Sequence, residues 1–286
     1  MAQKLTLTEE LAFTTVRIEC DDVSGNTSTG TGFFYRFADD GSQHIPAIVT
    51  NKHVIAGSVR GRFIMTLAAR DGGPSYNNHQ AFEFDSFEQR WFPHPDADVD
   101  LAVMLIAPLL QAAFDQSKSL FFKQVSKEFL ITKDELDEMV LLEEILMIGY
   151  PNGIWDRHNN MPIFRRGTTA THPNLDWNGK PEFLIDAACF PGSSGSPVLL
   201  FNQGSHTTRS GGMIIGSGRV KLLGILYAGP QHTVTGEVKV VTIPTQNVPI
   251  SVARIPNNLG IVIKARMLEK FESVFEQMKK QQGTSV

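Results

Sequence analysis

Short runs rich in β-branched and aromatic residues recur along the first part of the chain: TTVRIEC (14–20), GTGFFYRF (30–37), IPAIVT (45–50), RFIMTLA (62–68), FEFDSFE (82–88) and DLAVMLI (100–106). Each is too short for an ordinary helix, and clusters of Gly, Asp, Asn and Pro separate them. This is the pattern of an all-β sandwich or barrel. After a break it resumes with EILMIGY (144–150), TTATHP (168–173), FLIDAA (183–188), SPVLLF (196–201), VKLLGILYA (220–228), EVKVVTIP (237–244) and LGIVIKA (259–265). Two series of strands imply two β units in tandem, with boundaries expected near 1–110 and 144–266.

The segment between them, 111–143, reads as a partly helical connector. Thr132 precedes Glu135 by three positions, the spacing of a capping box, and Leu136, Met139 and Val140 follow at helical spacing. Residues 267–286 read as a C-terminal helix. Met267, Leu268, Phe271, Val274, Phe275 and Met278 form one stripe there, expected to dock on the body of the protein. At 286 residues the chain buries a large core without staples.

Composition narrows the function classes. With 42% hydrophobic residues, 20% charged and a net charge of −4, the chain carries no polyphosphate-binding signature, so nucleic acid is not expected as a partner. No run approaches the length needed to span a bilayer, so no membrane association is expected. The start, MAQKLTLTEELAF, lacks the basic region and apolar core of an export signal. The two cysteines, Cys20 and Cys189, form neither a CxxC pair nor a disulfide framework. Reduced thiols and a cytoplasmic location are the expectation. The eight histidines include no HExxH pair, and His94 and His172 each stand beside a Pro; no metal or other cofactor is expected.

Residues 191–198 read PGSSGSPV. Gly, Ser and Pro make this a turn, and Gly192 and Gly195 allow a bend that aims two amides at one point. Acyl transfer by a serine needs a base, a carboxylate to orient it and donors for the oxyanion. His53 closes IPAIVTNKHVI, where a strand end presents an imidazole at an edge. Asp100 opens DLAVMLIA at the rim of another strand, with Asp96 and Asp98 as competitors of the same parity. Ser194 lies inside the turn. The order His, Asp, Ser differs from that of α/β-hydrolases and of subtilisin-type enzymes, and matches the chymotrypsin-type double barrel.

With these residues in place, the sequence resembles trypsin-like serine peptidases of the chymotrypsin fold, most closely the bacterial HtrA or Deg-like protease domain. TGTGFFY, IVTNKHVI, VDLAVMLI, EEILMIGYPNGI, RRGTTATHP, FLIDAACFPGSSGSPVL and LGIVIKARMLEKF are similar, in order, to that family's motifs, from about residue 28 to 270. The resemblance implies two six-stranded antiparallel β-barrels packed across a cleft. It implies a general base at His53, an orienting carboxylate at Asp100, a nucleophile at Ser194 and an oxyanion hole from the amides of Gly192 and Ser194. Ala188, Cys189 and Phe190, opposite Leu226, Tyr227 and Ala228, are implied as substrate-binding walls. No acidic residue lies in either segment, so an apolar or small residue before the scissile bond is expected.

The substrate implied is a protein or peptide, and a regulatory protein partner is a further expectation. No PDZ-like domain is expected after residue 286. Ser193 stands where zymogen-type members carry an Asp that pairs with a new N-terminus, so activity without such cleavage is expected. Ser196 stands where the family has Gly, which leaves open a protease-like, peptide-binding scaffold of conditional activity.

Overall fold

A computed structural model of the chain describes residues 4–229, 231–235, 252–256 and 258–283. Helix α1 (Leu7–Ala12) leads into the antiparallel strands β1 (Thr15–Asp22), β2 (Thr27–Phe37) and β3 (Ile45–Thr50). A single helical turn, α2 (Lys52–Ile55), precedes β4 (Ser58–Ala68), β5 (Pro74–Asp85), β6 (Phe92–Pro93) and β7 (Ala102–Leu105). In space the order is β5-β4-β1-β2-β3-β7-β6, and β8 (Leu120–Phe121) adds to β4 from the connector.

A closed six-stranded barrel is expected here, whereas the first unit is an eight-stranded sheet whose ladder leaves β5 and β6 as ends. The chain between them accounts for the difference. Residues 86–91 turn at Ser86 (φ 53°) and form a short 3₁₀ helix, Glu88–Arg90. Phe87 and Trp91, both buried, meet edge to face at 5.6 Å, and Phe87 also stacks on Phe84. Aromatic side chains fill this side of the unit where a barrel would use strand pairing.

The connector contains α3 (Ala107–Asp115) and α4 (Lys133–Glu138), the latter with the capping box of Thr132 and Glu135. Single bridges from Val125 to Tyr35 and from Leu130 to Leu222 strap it across both units.

The second unit comprises β9 (Glu144–Gly149), β10 (Ile163–Thr169), β11 (Glu182–Asp186), β12 (Pro197–Asn202), a ribbon of β13 (Ser205–Thr207) and β14 (Met213–Ile215), then β15 (Arg219–Ala228). A second ribbon, β16 (Gln231–Thr235) and β17 (Val252–Pro256), precedes β18 (Leu259–Lys264). Six of these strands close an antiparallel barrel in the order β10-β11-β18-β15-β12-β9. The run EVKVVTIP (237–244) lies outside the described residues.

Strand periodicity sorts the core into faces. Phe33, Tyr35, Phe37 and Val49 of the first sheet join Leu146, Ile148, Leu199, Phe201, Ile225 and Ile263 of the barrel in one buried cluster, so the two units share a core. The other residues of β2 and β3, Phe34 and Ile48, pack with Ile18, Phe63 and Met104 on the opposite face. Ile145, Met147, Ile185, Cys189, Val198, Leu226 and Val262 fill a third cluster. Helix α5 (Leu268–Gly283) lays Leu268, Phe271 and Phe275 into the shared core, with the two rings 6.0 and 5.0 Å from Phe37. Val274 and Met278 stay exposed, so the docked stripe is narrower than the sequence pattern. Among the described residues no helix is long and apolar enough to cross a membrane.

Candidate active site

β3 ends at Thr50 and the chain turns at once into α2, which carries His53 at its second position. The helix lies so close to β2 that a Cβ at Gly30 would overlap the Val54 side chain. This approach sets His53 at the rim of the sheet. Asp100 stands just before β7, and its Oδ2 accepts from His53 Nδ1 at 2.5 Å while Oδ1 accepts from the His53 amide at 3.0 Å. Buried Asn51 donates to the Asp100 carbonyl at 2.8 Å, and Lys52 Nζ donates to the carbonyls of Asp96 and Ala97 at 3.2 and 3.1 Å. A carboxylate only accepts, so the neutral imidazole carries its proton on Nδ1 and keeps the Nε2 lone pair free. Of the competing acids, Asp96 pairs with Lys270 of α5 at 3.3 Å and Asp98 makes no contact with His53.

Ser194 sits in the turn between β11 and β12. Pro191 and Gly192 are the central residues of a β-turn closed by Ser193 N–H to Phe190 O at 3.0 Å, and Gly192 has φ +85°, which makes it type II. Gly195 follows with φ +88°. Neither position admits a side chain: a Cβ at Gly192 would stand 2.6 Å from the Tyr150 carbonyl, and one at Gly195 would overlap the Thr31 carbonyl. Carbonyls of the turn are tied outward, Pro191 O to the Asn152 amide at 2.6 Å, Gly192 O to Thr31 Oγ1 at 2.9 Å and Ser194 O to the Thr31 amide at 2.8 Å. The amides of Ser193, Gly195 and Ser196 are also used, the second by Leu226 O at 2.7 Å. Among the described residues those of Gly192 and Ser194 have no acceptor, and these are the two that the sequence singles out.

The turn is therefore gripped from both units. Thr31 Oγ1 also accepts from the Tyr150 amide at 3.1 Å, and Thr50 Oγ1 donates to Thr31 O at 2.6 Å. The Ser194 hydroxyl itself donates to the Tyr227 carbonyl at 3.2 Å. Burial pushes the Tyr227 phenol up to about 12, with Glu182, which accepts its hydroxyl at 3.1 Å, and the Asp100 charge adding to the effect. Tyr227 thus touches the serine through its carbonyl and Glu182 through its hydroxyl.

The residues implied as walls are placed as follows. Cys189 and Leu226 are buried in the third cluster, Phe190 is half-buried, and the backbone of Ala188 faces the strand of Arg165; the backbone of Ala228 ends β15. Burial pushes the Cys189 thiol up to about 11 and that of Cys20 to about 12, so both are protonated and unreactive at neutral pH. Sequence reasoning missed Thr31, Thr50 and Asn152, which shape the turn, and Arg165, whose guanidinium lies 4.8 Å from the centre of the Phe190 ring and donates to Ala188 O.

Two β units share a core, one carrying the His53–Asp100 pair at a strand rim and the other Ser194 in a glycine-cornered turn, an architecture of the class of β-rich peptidases. Residues 30–206, more than half of the chain, match the trypsin-like peptidase domain, and the chain belongs to that family. It is a trypsin-like serine protease. In solved structures the chain is similar to the serine endoprotease from Yersinia pestis, at 16% identity and a TM-score of 0.48, over 96% of this chain and 68% of that one. It is also similar to the HtrA-type protease AlgW with tripeptide, at 17% identity and a TM-score of 0.46, over 93% of this chain and 61% of that one. No curated protein matches in sequence.

Proposed function

We propose that the chain is an endopeptidase that opens peptide bonds through an acyl-enzyme, with Ser194 as nucleophile, His53 as general base, Asp100 as the group that orients His53, and the amides of Gly192 and Ser194 as oxyanion donors. The observation that carries this reading is the contact of His53 Nδ1 with Asp100 together with two amides of the Ser194 turn that have no acceptor among the described residues. In this reading the Ser194 hydroxyl leaves Tyr227 O and gives its proton to Nε2 of His53. The Oγ–C bond then forms as the proton passes to His53, and the imidazolium returns that proton to the leaving amine. Water repeats the sequence on the acyl-enzyme. Each donor aimed at the oxyanion is worth about 10²–10³ in rate.

The substrate is a protein or peptide. Taken alone, the walls at Cys189, Phe190 and Leu226 support a small or aliphatic group before the scissile bond. The orientation of the Ser194 hydroxyl favours one second reading, a peptide-binding scaffold whose activity depends on a regulatory partner. A phosphonylating serine reagent separates the two: labelling at Ser194 that disappears in Ser194→Ala and His53→Ala supports the enzyme, and a fully unlabelled wild type sinks it. We also propose a cytoplasmic location, supported by the unpaired thiols of Cys20 and Cys189 and tested by cell fractionation.

A further inference from the structure

Arg165 comes from neither of the two segments that line the implied substrate slot. It lies on β10 opposite Met147 of β9, and cross-strand partners point to the same face. Met147 belongs to the barrel's buried cluster with Cys189 and Leu226, so Arg165 extends over the segment that leads into the Ser194 turn. There its guanidinium spreads on the Phe190 ring and gives a single N–H to Ala188 O. The side chain is half-buried, yet among the described residues no carboxylate pairs with it. Its neighbour Arg166, by contrast, points outward and is paired with Glu144 at 2.8 Å.

A guanidinium has five N–H donors in a planar fork, stays charged, and is complemented best by a carboxylate that takes two of them. Leaving such a fork half-dehydrated and unpaired is costly, so the site is completed by an anion from elsewhere. Cys189 and Leu226, the apolar side chains of the implied walls, are both buried in the barrel cluster and open no deep apolar slot to substrate. A Cβ at Gly260 would stand 2.6 Å from the Cys189 sulfur and one at Gly229 3.4 Å from its Cβ. What remains accessible is the half-buried Phe190 ring with the charge of Arg165 beside it.

We propose that Arg165 selects the substrate residue before the scissile bond and that this residue is acidic, Glu or Asp. This rests on the reading of Ser194 as nucleophile, and it replaces the apolar preference expected from residues 188–190 and 226–228 alone. The methylene of the acidic residue packs against the half-buried Phe190 ring while its carboxylate meets the fork.

The test uses peptides that differ only in that residue, Glu, Gln, Leu or Lys, cleaved by the full chain. Wild type is expected to favour Glu over Gln by about 10–100-fold in kcat/KM, the range of a charge-assisted bond. Arg165→Met abolishes that ratio, and Arg165→Lys restores part of it. Equal cleavage of Glu and Gln by wild type overturns the proposal. So does an equal fall on all four peptides in Arg165→Met, which would make Arg165 a positioning residue for the turn. Fluorescence anisotropy with cleaved products ending in Glu or Gln gives a readout independent of catalysis. If Ser194 resists labelling while Glu products bind more tightly through Arg165, the catalytic reading falls and the recognition stands. If Ser194 reacts and Glu confers no advantage in either assay, the recognition falls and the catalytic reading stands.

Discussion

His53 and Asp100 are held from within one sheet, whereas Ser194 is held from both units. Five hydrogen bonds join residues 51–53 to residues 96–100, all of them between the end of β3 and the approach to β7, which pair with each other. The Ser194 turn instead depends on Thr31 and Thr50 of the first unit and on Tyr150, Asn152 and Leu226 of the second. The His53–Asp100 pair, proposed for acid–base work, is thus tied to the sheet that carries it. The Ser194 turn, proposed to hold the nucleophile, is tied to the contact between the units.

The comparison breaks most visibly at Asp100. Asp100→Asn keeps the shape of the side chain but offers an N–H to Nδ1, which selects the wrong tautomer of His53. We expect kcat to fall about 10⁴-fold while the melting temperature stays close to that of wild type. Steady-state kinetics with calorimetry checks both. Full activity in this variant would remove Asp100 from the mechanism.

A smaller effect is expected across the interface. Thr31→Val removes the hydroxyl that holds Gly192 O and receives the Tyr150 amide, and leaves both buried groups unpaired. Loss of these bonds costs about 1–3 kcal/mol in stability. Because the turn loses one of its outward ties, kcat is expected to fall about 10-fold or more with KM little changed. Urea unfolding and initial rates measure the two. A Thr31→Val variant of wild-type activity would show that the Thr31 hydroxyl is not needed to shape the turn.

How far this was legible from sequence differs between the same two halves. Strand runs and the residues at their ends are local signals, so β3 with His53 and β7 with Asp100 stand out, as do the glycines of the turn. Contacts that join distant segments leave no such trace. The Thr31–Gly192 bond spans 161 positions, and nothing in GTGFFY marks Thr31 as its donor. Arg165 was hidden by a boundary: the strand-like run reads as 168–173, whereas β10 covers Ile163–Thr169 and turns Arg165 inward by simple alternation. The open ladder of the first unit also escaped, because it depends on how Phe87 and Trp91 pack and not on the number of strand-like runs.

The smallest expected effect sharpens what holds the turn. Ser193 is buried at 1% exposure, and its hydroxyl has no partner among the described residues. Its amide, which closes the type II turn on Phe190 O, is what the position contributes. Ser193→Ala therefore keeps the turn and removes an unsatisfied polar group, a change that is neutral to slightly stabilising, by up to about 1 kcal/mol or roughly 2 °C in melting temperature. Activity is expected to stay within about twofold. Ser193→Asp makes the opposite test, because it buries a carboxylate where the serine hydroxyl finds no partner. Such a charge costs several kcal/mol and is expected to distort the turn and lower kcat together with stability. A Ser193→Asp protein that folds normally and gains activity after trimming of its N-terminus would show that the turn responds to a buried ion pair. Its rigidity would then come from that charge and no longer from the backbone bonds that Thr31, Asn152 and Leu226 supply.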